Sequence, residues 1–257
     1  MEKEYILGLD VSTSTVGISL FNLDGKLLEL NHVSPAIKDE NILKHDLLWV
    51  KSQLVINFLV ENYPATKISE IILETPLISS QQKDTASLLN YFGGIFFGQL
   101  RANYGDDTKI DYITVDEARR FGLPEILGGK NKTLFGAFNT LLDKSVMKEC
   151  KKMIVLSLIA QRYPSIVWLL NNNLTIDKKN LDRADAITVV LGYKQKNKIW
   201  IPNQQDIELT KDFIERNIQY EKFIKTLDKS TKAEKDKEKY NYLKNIFQIE
   251  KYLNVAI

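Results

Sequence analysis

Apolar residues fill Tyr5 to Leu9 and stop at Asp10, so the chain opens on a strand covered on both faces and tipped by a carboxylate. Side chains alternate along a strand, which puts Asp10 on the face of Ile6 and Gly8. A charge at the end of a buried strand is costly unless that end opens onto water, a hydrogen-bond donor or a cation. The turn Val11 to Thr15 offers hydroxyls and N–H groups beside it, and an Asp in this position can also simply cap its own turn. Thr15 to Phe21 makes a second strand, Asp24-Gly25 a tight turn, and Lys26 to Val33 a third strand. The three form an antiparallel meander.

The period then changes. Leu43, Leu47, Val50, Leu54 and Phe58 recur at three-four spacing, predicting an amphipathic helix over 40–62 that Pro64 stops. Ile68 to Glu74 is a second short apolar strand ending on an acid, and Pro76 ends its ladder. Reached through a helix, it can lie parallel to the first strand. A helix follows over 79–103, with Gly94 and Gly98 four apart on one face, suited to close packing on the sheet or against a second subunit. Ile110 to Asp116 reads as a fifth strand. Residues 121–144, with Pro124 and Gly128-Gly129, read as an inserted loop with one short helix, and 145–162 as a further helix. In Asn180-Leu-Asp182-Arg-Ala-Asp185-Ala, Asp182 and Asp185 share one face at a helix start. Acids there can also serve only as caps for free N–H groups.

The expected fold class is α/β: a mixed five-stranded sheet of antiparallel meander plus parallel strands, flanked by helices. Residues 1–200 form the main domain. Residues 206–257 differ in texture, with two charged amphipathic helices, Glu208 to Leu227 and Glu234 to Leu253, as a helical hairpin extension. Phe213, Phe223, Ile224 and Leu227 are expected to face Tyr240, Leu243, Ile246, Phe247 and Leu253 across it.

Composition narrows the chemistry. The 257 residues are 44% hydrophobic, enough for a packed core, and the net charge of +2 neither demands nor excludes nucleic acid. Cys150 is the only cysteine, which excludes an internal disulfide and a cysteine zinc cage. With no signal-peptide pattern at Met1 and no apolar run of membrane-spanning length, a soluble cytoplasmic protein is expected. His32 and His45 have no ligand-type partners nearby in sequence and read as structural.

Two acid-tipped strands and one acidic helix start would bring Asp10, Glu74, Asp182 and Asp185 into one crevice, since ligands gather at the carboxyl ends of strands in open α/β sheets. Four packed carboxylates repel and need protons or cations. A set of oxygens alone favours Mg²⁺ or Mn²⁺ over zinc. Two such ions roughly 4 Å apart can clamp the attacking and leaving oxygens of a phosphodiester. Lys148, Lys151, Lys152, Lys178 and Lys179 flank the last acidic pair and could engage DNA phosphates.

The order strand-Asp10, hairpin with Gly17, strand-Glu74, glycine-containing helix and Asp182-x-x-Asp185-Ala resembles the Holliday-junction resolvases of the RuvC type, within the RNase H-like superfamily. The resemblance covers about residues 4–197. It implies a homodimeric endonuclease of DNA recombination and repair. Such an enzyme cuts symmetrically across a four-way junction, with two Mg²⁺ ions held by the matching acids. It also implies that the helix with Gly94 and Gly98 lies near the subunit contact. Val11-Ser12 stands where the bacterial enzymes commonly have Pro-Gly, and the insertion and tail are additions that suit a divergent or phage-encoded member. A relaxed branched-DNA or RNA-processing nuclease of the same fold is the alternative. Gly8 to Gly17 also resembles the first phosphate loop of sugar kinases and actin-like ATPases, but the second such loop of that fold is missing from the sequence.

Overall fold

The computed structural model describes residues 3–37, 42–75, 83–123, 155–164 and 179–200, the single positions 152, 166, 169 and 177, and scattered positions between 208 and 245. Strands β1 (Tyr5–Val11), β2 (Val16–Asn22), β3 (Leu27–Val33), β4 (Ile68–Glu74) and β5 (Lys109–Ile113) form one sheet in the order β3-β2-β1-β4-β5. β1–β2 and β2–β3 are antiparallel, whereas β1–β4 and β4–β5 are parallel. This is the mixed sheet expected from the patterning. The parallel half requires crossovers, which helices α1 (Lys44–Asn62) and α2 (Lys83–Tyr104) supply. After β5 come α3 (Val115–Gly122), a helical stretch over 155–162, and α4 (Lys179–Lys196).

Strand alternation splits the core in two. Leu7, Leu9, Val16, Ile18, Ile71 and Leu73 face α1 and α2, where they meet Val55, Ile56, Leu59, Phe96 and Leu100. The intervening residues Ile6, Phe21 and Ile72 face the other way and pack with Ala118, Leu156, Ile159, Ala184, Ile187 and Val190. Central strands buried on both faces need apolar side chains at nearly every position, as β1 has. The crevice acids therefore belong to the second face, the side covered by α4.

Glycine sets how near α4 comes. A Cβ on Gly8 would overlap Val190, and one on Gly17 would overlap the backbone carbonyl of Asp182. Ser19 Oγ donates to the Ala186 carbonyl at 2.8 Å, tying β2 to the middle of the helix. At its start, Arg183 donates to Asn180 Oδ1 at 2.7 Å and to the Leu30 carbonyl of β3 at 2.9 Å.

Several expectations shift. β5 ends at Ile113 instead of Asp116, because Thr114 and Glu117 form a reciprocal capping box that starts α3. Phe121, assigned to the insertion, is the penultimate residue of that helix. α4 starts at Lys179, so Asp182 lies in its first turn while Asp185 is a turn further in and buried. Gly94 and Gly98 do not pack on the sheet: a Cβ on either would meet nothing within 4 Å. Phe92, Phe96 and Tyr104 are the aromatics of α2 that turn inward. In the tail, Phe223 stacks on Tyr242, which the spacing left out, at 3.9 Å between ring centroids, and both rings pack against the core beneath α4. The rest of the expected hairpin contacts, and most of the 121–144 insertion, fall outside the described residues.

Candidate active site

The turn after β1 is closed by Ser12. Its hydroxyl donates to the Thr15 carbonyl at 2.7 Å and accepts from the Thr15 N–H at 3.1 Å. That leaves Asp10 without the capping duty an Asp often has there. Asp10 is buried, opposite Gly17 in the β1–β2 ladder, and the flat surface of Gly17 lets the Asp182 backbone rest on β2 beside it. Glu74 ends β4 on the same sheet face as Ile72 and stands opposite Ile113 of β5. Two strand ends and two turns of α4 thus converge.

Electrostatics records the convergence. Burial first, then Glu74, Asp185 and Asp182, hold the Asp10 carboxyl well above the usual carboxylate range. Burial and then Asp185 push Glu74 up to about 7. Asp182 is raised as well, by burial and then by Asp185, against the opposing charge of Lys152. Four acids that were expected together are together.

Among the described residues, two basic side chains enter this crevice. Lys152 Nζ lies 3.5 Å from Asp182 Oδ1, so it sits among the acids and not only on a flanking surface. Arg119 of α3 donates from Nη2 to both oxygens of Asp185, at 3.2 and 3.1 Å. Sequence reasoning passed over Arg119, which is 66 positions from its partner. The one available signal was Thr114-x-x-Glu117, which marks a helix start and would have put Arg119 on a helix following β5. Helix α3 is aimed by close contact: a Cβ on Gly192 of α4 would lie 2.5 Å from the Ala118 backbone, and one on Gly122 would lie 2.6 Å from the Thr188 carbonyl.

Of the remaining expected contacts, Lys179 is exposed at the start of α4. With Arg183 it adds to burial in lowering the pKa of His32 on β3. Lys148, Lys151 and Lys178 lie outside the described residues. Among the described residues, no three His, Cys, Asp or Glu side chains are grouped as ligands of one metal ion. The donor chemistry nevertheless suits a hard divalent cation. Asp10, Glu74, Asp182 and Asp185 are all oxygen donors, and among the described residues Lys152 and Arg119 are the basic side chains paired with them.

No protein-family model matches the sequence, and no curated protein matches it. Among solved structures, the chain is similar to T. thermophilus RuvC in complex with a Holliday junction substrate. The identity is 10% and the TM-score 0.45, covering 76% of this chain and 96% of that one. It is similar to a second Thermus thermophilus RuvC structure at 11% identity and TM-score 0.44, with the same coverage of both chains. It is also similar to the yeast mitochondrial Holliday junction resolvase, at 12% identity and TM-score 0.48, covering 84% of this chain and 83% of that one. Likeness of this degree decides nothing about chemistry, which has to come from the side chains. No helix among the described residues is long and apolar enough to cross a membrane.

Proposed function

We propose that this protein is a divalent-metal-dependent endonuclease that cuts phosphodiester bonds in four-way DNA junctions. The observation that carries the reading is the buried carboxylate crevice, where burial and mutual repulsion hold Asp10, Glu74 and Asp182 above the usual carboxylate range. Asp10, Glu74, Asp182 and Asp185 would hold Mg²⁺ or Mn²⁺, two ions per crevice. Bound there, the ions supply a hydroxide nucleophile and charge stabilisation for the departing 3′ oxygen.

The chain's own part is positional. β1 and β4 fix Asp10 and Glu74 on a rigid sheet, and α4 sets Asp182 and Asp185 over them through the Gly17 contact. Lys179, exposed at the start of α4, is suited to a DNA phosphate, as are Lys178 next to it in sequence and Lys148 and Lys151 before Lys152. Lys152 serves the acids first.

Resolving a junction into two ligatable duplexes needs matched cuts in opposing strands. With one crevice per chain, that calls for a two-fold homodimer. The open face of α2 at Gly94 and Gly98 would let a partner helix approach closely.

The test is cleavage of a four-way junction against a linear duplex of the same sequence, with Mg²⁺ and with chelator. Metal-dependent cutting of the junction alone is expected. Equal cutting of both substrates would keep the nuclease and remove junction specificity. No metal-dependent cutting of either would end the proposal.

A further inference from the structure

We infer that Arg119 is a built-in counter-cation that holds Asp185 until a divalent ion takes its place, and so sets how tightly the crevice binds metal. This rests on the metal-site reading above.

The contact is engineered by the fold and not by a flexible side chain finding a neighbour. Arg119 lies on α3, which is fixed at its start by the Thr114–Glu117 capping box and by an ion pair from Lys196 to Glu117 at 2.7 Å. At its end, Gly122 and Gly192 let α3 and α4 meet backbone to backbone. The helix pair therefore aims residue 119 at residue 185. The Arg119 side chain is only 17% exposed and Asp185 only 6%.

Nη2 reaches both oxygens of Asp185, so a cation approaching that carboxylate meets a like charge already in place. Arg119 acts on Glu74 as well, which spreads its compensation over the crevice. The same arrangement accounts for an otherwise awkward fact: the acids stand close enough to repel one another, yet none of the described groups forms a ready metal cage. Asp185 is turned to Arg119, and Asp182 to Lys152. Metal loading requires Asp185 to exchange one cation for another.

The test is calorimetric titration of the full chain with Mn²⁺ for wild type, Arg119→Gln and Arg119→Lys, alongside melting of the metal-free proteins. Removing one unit of nearby positive charge should tighten Mn²⁺ binding about tenfold in Arg119→Gln. The metal-free melting temperature of that variant should fall, and Mn²⁺ should restore it. Arg119→Lys keeps the charge but not the planar donor array, and should bind Mn²⁺ a few-fold more tightly than wild type. Should Arg119→Gln fail to fold, Arg119→Lys decides. Unchanged or weaker Mn²⁺ binding in the variants, with wild type binding normally, overturns the inference and leaves the metal site standing. No Mn²⁺ binding by wild type overturns the metal site itself.

Discussion

Glu70 and Glu74 leave β4 on the same sheet face, four residues apart, and meet opposite surroundings at the two ends of α4. Glu70 is 6% exposed, and its two oxygens are paired with Lys194 of α4 and, at 3.0 Å, with Lys109 of β5. Tyr193 bridges Lys109 and Asp111 beside it. That end is balanced within the chain, acid against base, and it locks the last turn of α4 to the sheet. At the other end, Glu74 meets Asp10, Asp182 and Asp185, and among the described residues Lys152 and Arg119 are the cations that answer them. A buried ion cluster made only to stabilise is expected to close its own charge balance, as the Glu70 end does. Among the described residues the Glu74 end does not, and the raised Asp10, Glu74 and Asp182 carboxyls record a repulsion that a bound cation would relieve.

Changing an acid at each end separates the two roles most sharply. Asp10→Asn should lower Mg²⁺-dependent junction cleavage by about ten-thousandfold, the scale on which loss of a catalytic side chain acts. Junction binding should stay within a few-fold, because on the proposed reading it rests on lysine–phosphate contacts and not on the acids. The same substitution relieves repulsion and should raise the metal-free melting temperature. Cleavage near the wild-type rate would remove Asp10 from the site.

Glu70→Gln should do the reverse. It leaves Lys194 buried beside a neutral partner, and should cost about 3 kcal/mol of stability in denaturant unfolding. Cleavage by the molecules that remain folded should be unchanged. A stabilised Glu70→Gln would contradict the balanced reading of that end.

The ends also differ in pH dependence. Glu74 is raised in the folded protein to about 7 from an ordinary 4.5, so its contribution to stability is full below about 4.5 and is lost as pH rises through about 7. In chelator, wild type should lose several degrees of melting temperature relative to Glu74→Gln between pH 4.5 and 8. Taking the difference removes the opposite trend of His32, whose lowered pKa makes folding less favourable as pH falls. Saturating Mn²⁺ should flatten the wild-type curve. Parallel curves for the two proteins in chelator would remove Glu74 from the repelling cluster.

The smallest effects come from glycines. Gly17→Ala would force β2 from the Asp182 backbone and should cost roughly 1–3 kcal/mol, with a loss of cleavage beyond what the instability explains. Gly94→Ala lies in an open helix interior and should raise monomer stability by roughly 0.5–1 kcal/mol. Equal effects of the two, measured by denaturant unfolding, would mean that α4 does not depend on the Gly17 contact.

Much of this was legible in the chain itself. Alternation alone assigned Asp10 to the face of Ile6 and Gly8, and that is the face α4 covers. Two acid-tipped strands and an Asp-x-x-Asp helix start were local patterns, and the parallel crossover brought them together without further information. What stayed hidden was non-local or two-valued. Arg119 meets Asp185 only because two glycines, 70 positions apart in sequence (Gly122 and Gly192), let α3 and α4 touch. The end of β5 was misplaced because Thr114 and Val115 suit a strand as well as a helix start, and the capping box decided between them. Gly94 and Gly98 face open space because Phe92, Phe96 and Leu100 take the inner side of α2, a choice that spacing alone left undecided.

On the proposed reading, divalent ions complete the acidic end at Asp10 and leave the Glu70 end alone. The most direct measurement is anomalous diffraction from a Mn²⁺-soaked crystal of the full chain. The predicted result is manganese density between Asp10, Glu74, Asp182 and Asp185, with Arg119 moved off Asp185 and no density beside Glu70. A crevice empty at saturating Mn²⁺, with Arg119 still on Asp185, would contradict it.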